Sequence, residues 1–196
     1  MQLENPDVAR LPQIQYSAGI HPWYIDELNW KKQLDLLCAK AHEPNIIAIG
    51  ECGLDRLCET PITIQTAVFR EQIALANRVA KPMIIHNVRY HREIIQILME
   101  CQNNMPVIFH GFNQQKDVAD ALLKFGCYLS FGKSLFRPAM EPVFSSIPID
   151  RLFLETDDSD LSIFDIYRKA ASIRQIGIEA LMHSVQKNFY ALFPDK

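Results

Sequence analysis

Several things are scarce in this 196-residue sequence, and each scarcity excludes a class of protein. No stretch approaches the roughly 18–20 consecutive apolar residues that a membrane span needs, so no membrane partner is expected. There are five cysteines, at 38, 52, 58, 101 and 127, an odd and scattered set with no CxxC. A disulfide frame and a zinc knuckle are therefore excluded, and reduced thiols in a cytoplasmic protein are expected. Basic charge is not in excess: 20 Lys and Arg against 23 Asp and Glu leave a net charge of −3. A nucleic-acid partner would have to be held locally or through a metal, because no overall field draws in phosphate. Internal repeats, low-complexity tracts and linkers are lacking, which predicts one domain over 1–196. The opening Met-Gln-Leu-Glu-Asn-Pro has no signal-peptide character. What remains is ordinary globular material, 48% hydrophobic and 22% charged.

Two short runs organise that material. Lys81-Pro82-Met83-Ile84-Ile85-His86 and Met105-Pro106-Val107-Ile108-Phe109-His110 each open on a proline and end on a histidine. Each is too short for a helix and rich in branched apolar residues, so each reads as a buried strand with its proline at the tolerated first position. One helix with its loops fits between them, as in a parallel βαβ unit. Parallel sheets place chemistry beyond the carboxyl ends of their strands, which is where His86 and His110 fall.

The same alternation runs along the chain. Residues 1–13 are an irregular lead-in. A strand from Tyr16 to Ile20 leads to His21-Pro22-Trp23-Tyr24, and a helix follows over about 29–42. A strand over Ile46–Gly50 runs into a Glu51–Asp55 segment, then a helix over 63–79. After the His86 strand come helices over about 90–101 and, beyond the His110 strand, 115–125, with Gly126 at the expected left-handed cap. A strand over 127–131, a short helix over 138–145, a strand over 151–155 and helices over 162–175 and 178–192 complete the pattern. Six strands alternating with helices, never paired as hairpins, predict an α/β fold with a parallel sheet. The spacing favours a TIM-type βα-barrel over a doubly wound sheet.

Every predicted strand ends on a polar residue: His21, Glu51, His86, His110, Ser130 or Lys133, and Asp157. One polar strand end is ordinary. Two imidazoles and two carboxylates gathered on one rim are the donor set of a divalent metal site. Such an ion lowers the pKa of bound water and makes a nucleophile at neutral pH, with a nearby carboxylate taking the proton. His42, His91 and His183 fall on helices and read as surface residues, and Asp158 and Asp160 as loop or cap acids. Trp23 would stack on a ring or cover the rim. Arg89, Lys133 and Arg137 would contact phosphate or remain solvated charges. Cys52 reads as a small packed side chain.

These motifs, taken in order, resemble the TatD-like family of metal-dependent deoxyribonucleases, within the amidohydrolase-type βα-barrels. The carriers are Gly19-Ile20-His21-Pro22, Ile49-Gly50-Glu51-Cys52-Gly53-Leu54-Asp55, the Gln65…Phe69…Gln72…Leu75-Ala76 helix, Pro82…His86, Ile108-Phe109-His110-Gly111-Phe112, Tyr128…Gly132, Leu154-Glu155-Thr156-Asp157 and Asn188-Phe189…Leu192-Phe193. The resemblance implies an eight-stranded barrel, one or two divalent ions (Mg, Mn or Zn) and hydrolysis of phosphodiesters, commonly in DNA. It makes Glu51 a bridging ligand, His86 and His110 ligands of one ion, and Asp157 a ligand that helps activate water. His21 would face the phosphate, with Arg89 and Lys133 as further substrate contacts.

The sequence also departs from the family pattern. The family opens with a His-x-His strand, and no such motif occurs here: the first histidine, His21, already belongs to the third strand of the family order. A shortened barrel is expected, since a full one takes roughly 250 residues. Asp158-Ser159 stands where the family has a small residue and proline, and Arg89 falls one position late. Three readings follow: a deoxyribonuclease acting on single strands or ends, a non-catalytic relative with a binding or structural role, or a hydrolase of a small ester or amide on the same rim. Exposed barrel edges would leave room for an oligomer.

Overall fold

The computed structural model describes residues 14–193. The described residues form two compact units, one ending at Val107 and the other beginning at Ile108. The first holds β1 (Tyr16–Ala18), α1 (Trp30–Lys40), β2 (Ile46–Asp55), α2 (Ile62–Val79), β3 (Met83–Val88) and α3 (His91–Glu100). β1 pairs β2 and β2 pairs β3, both parallel. Its core is aliphatic, with Leu37, Ile46, Ile49, Ile73, Met83 and Ile85 all but sealed from solvent around Phe69. Branched residues supply the strand interiors, as expected where both faces of a parallel sheet are covered.

β4 (Val107–Phe109) spans the division, and the second unit continues with α4 (Lys116–Lys124), β5 (Tyr128–Phe131), α5 (Glu141–Ser146), β6 (Leu152–Leu154), α6 (Ile163–Arg174) and α7 (Ile178–Leu192). β4, β5 and β6 pair in parallel in chain order. Aromatic packing is stronger here. The Phe131 ring lies 5.3 Å from that of Phe112 and meets Phe144 edge-on at 5.1 Å. Such offset and T-shaped arrangements add to the area buried. Asn188 of α7 donates to the carbonyls of Ile149 and Leu152 at 2.8 Å each, fixing the helix to the start of β6.

Helix ends follow local chemistry. α6 starts on Ser162, whose hydroxyl accepts the Asp165 N–H. α4 stops where expected. Gly126 has φ +89°, its N–H donates to Leu123, and the Cys127 N–H reaches back to Leu122, the Schellman pattern. The longer predicted helices fall within two residues of the observed ones, and the short one expected over 138–145 starts at Glu141. One strand differs. β2 does not stop at Gly50 but runs through Asp55, extending its ladder along β3 from Cys52↔Ile85 to Asp55↔Val88. Gly50, the expected last residue of the strand, and Gly53, expected beyond it, both sit inside it. Among the described residues, no helix is long and apolar enough to cross a membrane.

Two buried glutamines of α2, seven residues apart, hold the tips of β1 and β2. Gln72 accepts from the Ile20 N–H at 2.7 Å and donates to the Ile20 carbonyl at 3.1 Å. Gln65 accepts from the Asp55 N–H at 2.8 Å and donates to the Asp55 carbonyl at 3.0 Å. Each amide side chain completes the hydrogen bonding of a buried peptide that no further strand residue serves. Removal of Gln72 would orphan both Ile20 groups, each at about 1–3 kcal/mol. Gln72→Ala is therefore expected to lower unfolding free energy by about 2–4 kcal/mol in a urea titration, with the exposed neighbour change Glu71→Ala staying within about 0.5 kcal/mol. Equal losses from the two would refute the assignment.

Candidate metal centre

In the first unit the strand ends bring three predicted residues together. His21, Glu51 and His86 each offer a ligand atom, and all three atoms lie within 4.8 Å of one another. His21 follows β1, Glu51 lies within β2, and His86 lies within β3. The imidazoles of His21 and His86 stand 4.2 Å apart, edge to face. The mixture of nitrogen and carboxylate donors suits a divalent cation such as zinc or manganese. His21 takes a particular orientation in the group. Its Nδ1 accepts the Trp23 backbone N–H at 3.1 Å, so in the neutral ring the hydrogen sits on Nε2. That atom faces Glu51 Oε2 at 4.0 Å.

Beneath His86 lies a residue to which the sequence assigned no role. Asp55, at the end of β2, is only 2% exposed. Its Oδ2 lies 2.9 Å from His86 Nε2 and accepts the Trp23 indole N–H at 2.7 Å, while Oδ1 accepts the Leu57 N–H at 2.7 Å. Burial pushes this carboxyl upward, but the hydrogen bonds from His86, Leu57 and Trp23 outweigh it and hold Asp55 below its ordinary value. Neighbouring Cys52 is fully buried and its thiol is pushed far up, consistent with its expected packing role. Arg89 is exposed with φ +62° and makes no hydrogen bond or ion pair among the described residues.

In the second unit His110 follows β4, its Nδ1 lying 3.8 Å from Glu155 Oε1. Glu155, just past β6, accepts the Gly111 N–H at 2.5 Å through Oε1 and the Ser130 hydroxyl through Oε2. One carboxylate thus joins the ends of three strands. Gly132 makes room for it: a Cβ there would come within 2.9 Å of the Glu155 carbonyl oxygen. Asp157 is exposed, with φ +48°. It borders a cavity of about 340 Å³ together with Asn113, Lys133, Arg137 and Glu155. Lys133 donates to Asp158 at 2.7 Å, and that hydrogen bond raises the Lys133 pKa and lowers that of Asp158.

The sequence reading quoted Asp55 and Glu155 inside motifs but gave neither a function. The signal for Asp55 was present: an acid closing the apolar Gly53-Leu54-Asp55 stretch has to be buried if the strand continues. Gly53 shows that it does continue. Its φ is +143°, and a Cβ would fall on the carbonyl oxygen of His86. A glycine within a strand marks such a close backbone approach as readily as it marks a turn.

Parallel strands that bring histidine and carboxylate together define an α/β protein with a candidate metal centre. A family model described as TatD related DNase matches residues 7–194, and the chain belongs to that family. It is 42% identical over 137 residues to the uncharacterized metal-dependent hydrolase YabD of Bacillus subtilis, a match covering 67% of this chain and 51% of that protein. It is 33% identical over 165 residues to the 3'-5' ssDNA/RNA exonuclease TatD of Edwardsiella piscicida, covering 81% of this chain and 63% of the relative. The matched region thus spans about half of the first relative and under two thirds of the second. The fold is that of YjjV, a TatD homologue of Escherichia coli, with a TM-score of 0.84 at 22% identity over 96% of this chain and 80% of the other. The expectation of a βα-barrel type fold with fewer than eight strands agrees with this likeness, with six strands among the described residues.

Gly53 and Gly126 both have positive φ, but only Gly53 faces another backbone. Gly126→Ala should cost about 1–2 kcal/mol, the left-handed penalty alone. Gly53→Ala should cost well over that, because β3 must move from its ladder. Thermal unfolding of the two variants checks this, and a comparable loss in both would mean that His86 does not press on Gly53.

Proposed function

We propose that this protein is a metal-dependent phosphodiesterase acting on single-stranded DNA or DNA ends, and that it works as one domain. Glu51, His86, His110 and Asp157 are its ligands for a divalent ion, with Glu51 and Asp157 also handling the proton of the attacking water. The observation that carries the reading is the convergence of His21, Glu51 and His86 donor atoms at strand ends, in a chain of the TatD related DNase family. A relative named as a single-strand DNA and RNA exonuclease supports the choice of substrate.

A divalent ion bound there supplies Lewis acidity and an activated water. The remaining work falls to side chains. His21, with its hydrogen on Nε2, is placed to donate to a non-bridging phosphate oxygen. The Lys133 and Arg137 cations border the 340 Å³ cavity, and in this reading they steady the negative charge that develops on phosphorus. Arg89, exposed after β3, is a further phosphate contact in this reading. A second reading, hydrolysis of a small phosphoester, is favoured by the pairing of Lys133 with Asp158, which removes half of the basic charge at that cavity. The cavity volume is in the range of small-molecule sites.

Isothermal titration of chelator-stripped protein with Mn²⁺ or Zn²⁺ is expected to give saturable binding. His86→Ala and His110→Ala should each weaken it by at least roughly tenfold, since even loss of an outer partner costs about that much. Single-stranded DNA should be cleaved with Mg²⁺ or Mn²⁺ and spared with EDTA. Unchanged affinity in both variants would refute the ligand assignment. Metal binding without cleavage of DNA, but with turnover of a small phosphoester such as bis-p-nitrophenyl phosphate, would favour the second reading.

A further inference from the structure

The chemistry around Asp55 fixes more than its own charge. The indole of Trp23 is a donor and cannot accept, and so is the Leu57 backbone N–H. Each holds one oxygen of the Asp55 carboxylate, Trp23 at Oδ2 and Leu57 at Oδ1. A carboxylate held by two donors carries no hydrogen of its own and keeps a lone pair free on Oδ2, so Asp55 meets His86 as an acceptor. His86 Nε2, at 2.9 Å from Oδ2, therefore carries the hydrogen of the neutral ring. A neutral imidazole with its hydrogen on Nε2 presents its lone pair at Nδ1.

We infer that Asp55 is a positioning residue: by accepting from His86 Nε2 it selects the ring's tautomer and orientation, so that a metal is met by Nδ1. The inference rests on the reading of His86 as a metal ligand. A carboxylate behind a ligating histidine both orients the ring and raises its basicity. Burial makes this one stiff. Asp55 is 2% exposed and its own backbone N–H and carbonyl are clamped by Gln65, so the carboxylate has little freedom to follow a misplaced ring. The same oxygen holds the indole of Trp23, which is otherwise 59% exposed. A rim aromatic and a candidate ligand thus share one anchor.

Asp55→Asn reverses the pattern with little change of shape. The amide oxygen can keep the Leu57 N–H, but the amide nitrogen now turns a donor toward His86 Nε2. The ring should respond by moving its hydrogen to Nδ1. Long-range ¹H–¹⁵N spectra of histidine-labelled, metal-free protein read this directly, with the His86 signals identified by their loss in His86→Gln. The expected result is an Nε2–H ring in the unaltered protein and in Trp23→Phe, and an Nδ1–H ring in Asp55→Asn. Mn²⁺ affinity, measured by titration calorimetry, should fall about 10–100-fold in Asp55→Asn, the range for a lost outer partner.

An Nδ1–H ring in the unaltered protein would overturn the inference. So would an unchanged tautomer in a folded Asp55→Asn. If His86→Ala left Mn²⁺ affinity intact while the spectra behaved as expected, the ligand reading would fail and the positioning of His86 by Asp55 would stand.

Discussion

The constraint on which the first unit depends is the completion of hydrogen bonding at strand ends that are buried. A strand or strand-following segment that ends in the protein interior leaves its last peptide groups without a ladder partner. α2 resolves this with Gln65 and Gln72, which lie on one helical face and grip the backbones of Asp55 and Ile20. Helix packing and site geometry are therefore one problem. The apolar neighbours Phe69, Ile73 and Ala76 bring α2 against the sheet, and the two amides translate that packing into fixed positions for Ile20, which precedes His21, and for Asp55, which meets His86.

Each unit also seats its histidine beside a carboxylate of its own. Asp55 lies 2.9 Å from His86, and Glu155 lies 3.8 Å from His110. The two acids differ in their remaining duties. Asp55 ties a loop indole and a following turn, whereas Glu155 ties β4, β5 and β6 through Gly111 and Ser130. Glycines provide the clearance in both cases, Gly53 against the His86 backbone and Gly132 against Glu155. Small residues at these points are dictated by backbone contact rather than by turn geometry.

Much of this was legible in the residues themselves. The Pro-apolar-His runs identified β3 and β4, and helical periodicity placed α2, α3, α4, α6 and α7 to within a turn. The resemblance carried by the strand-tip motifs named the family. What escaped was set by tertiary contact. Gly50 looks like a strand end and Gly53 like a loop residue because glycine is scarce in strands, and only the course of β3 beside them shows why a side chain is forbidden. Asp55 falls in a segment after the predicted strand and Glu155 at the end of one, and neither shows its role until its donors are known, which come from residues as far away as Trp23 and Gly111. The pairing of Lys133 with Asp158 was hidden in the same way, because both are charged residues of strand-following segments that each read alone as solvated.

The chain contains two tryptophans. Trp30 lies half-buried on α1 beside Lys31, away from the strand tips. Trp23 has its indole N–H locked to a buried carboxylate, its ring edge against His21 and His86, and much of its surface in solvent. Its excited state is therefore exposed to two imidazoles, one anion and the bulk medium at once. Replacement of Trp30 by phenylalanine would leave Trp23 as the only indole, and the native emission of the protein would then be an optical readout of events at the strand ends, obtained without attaching any dye.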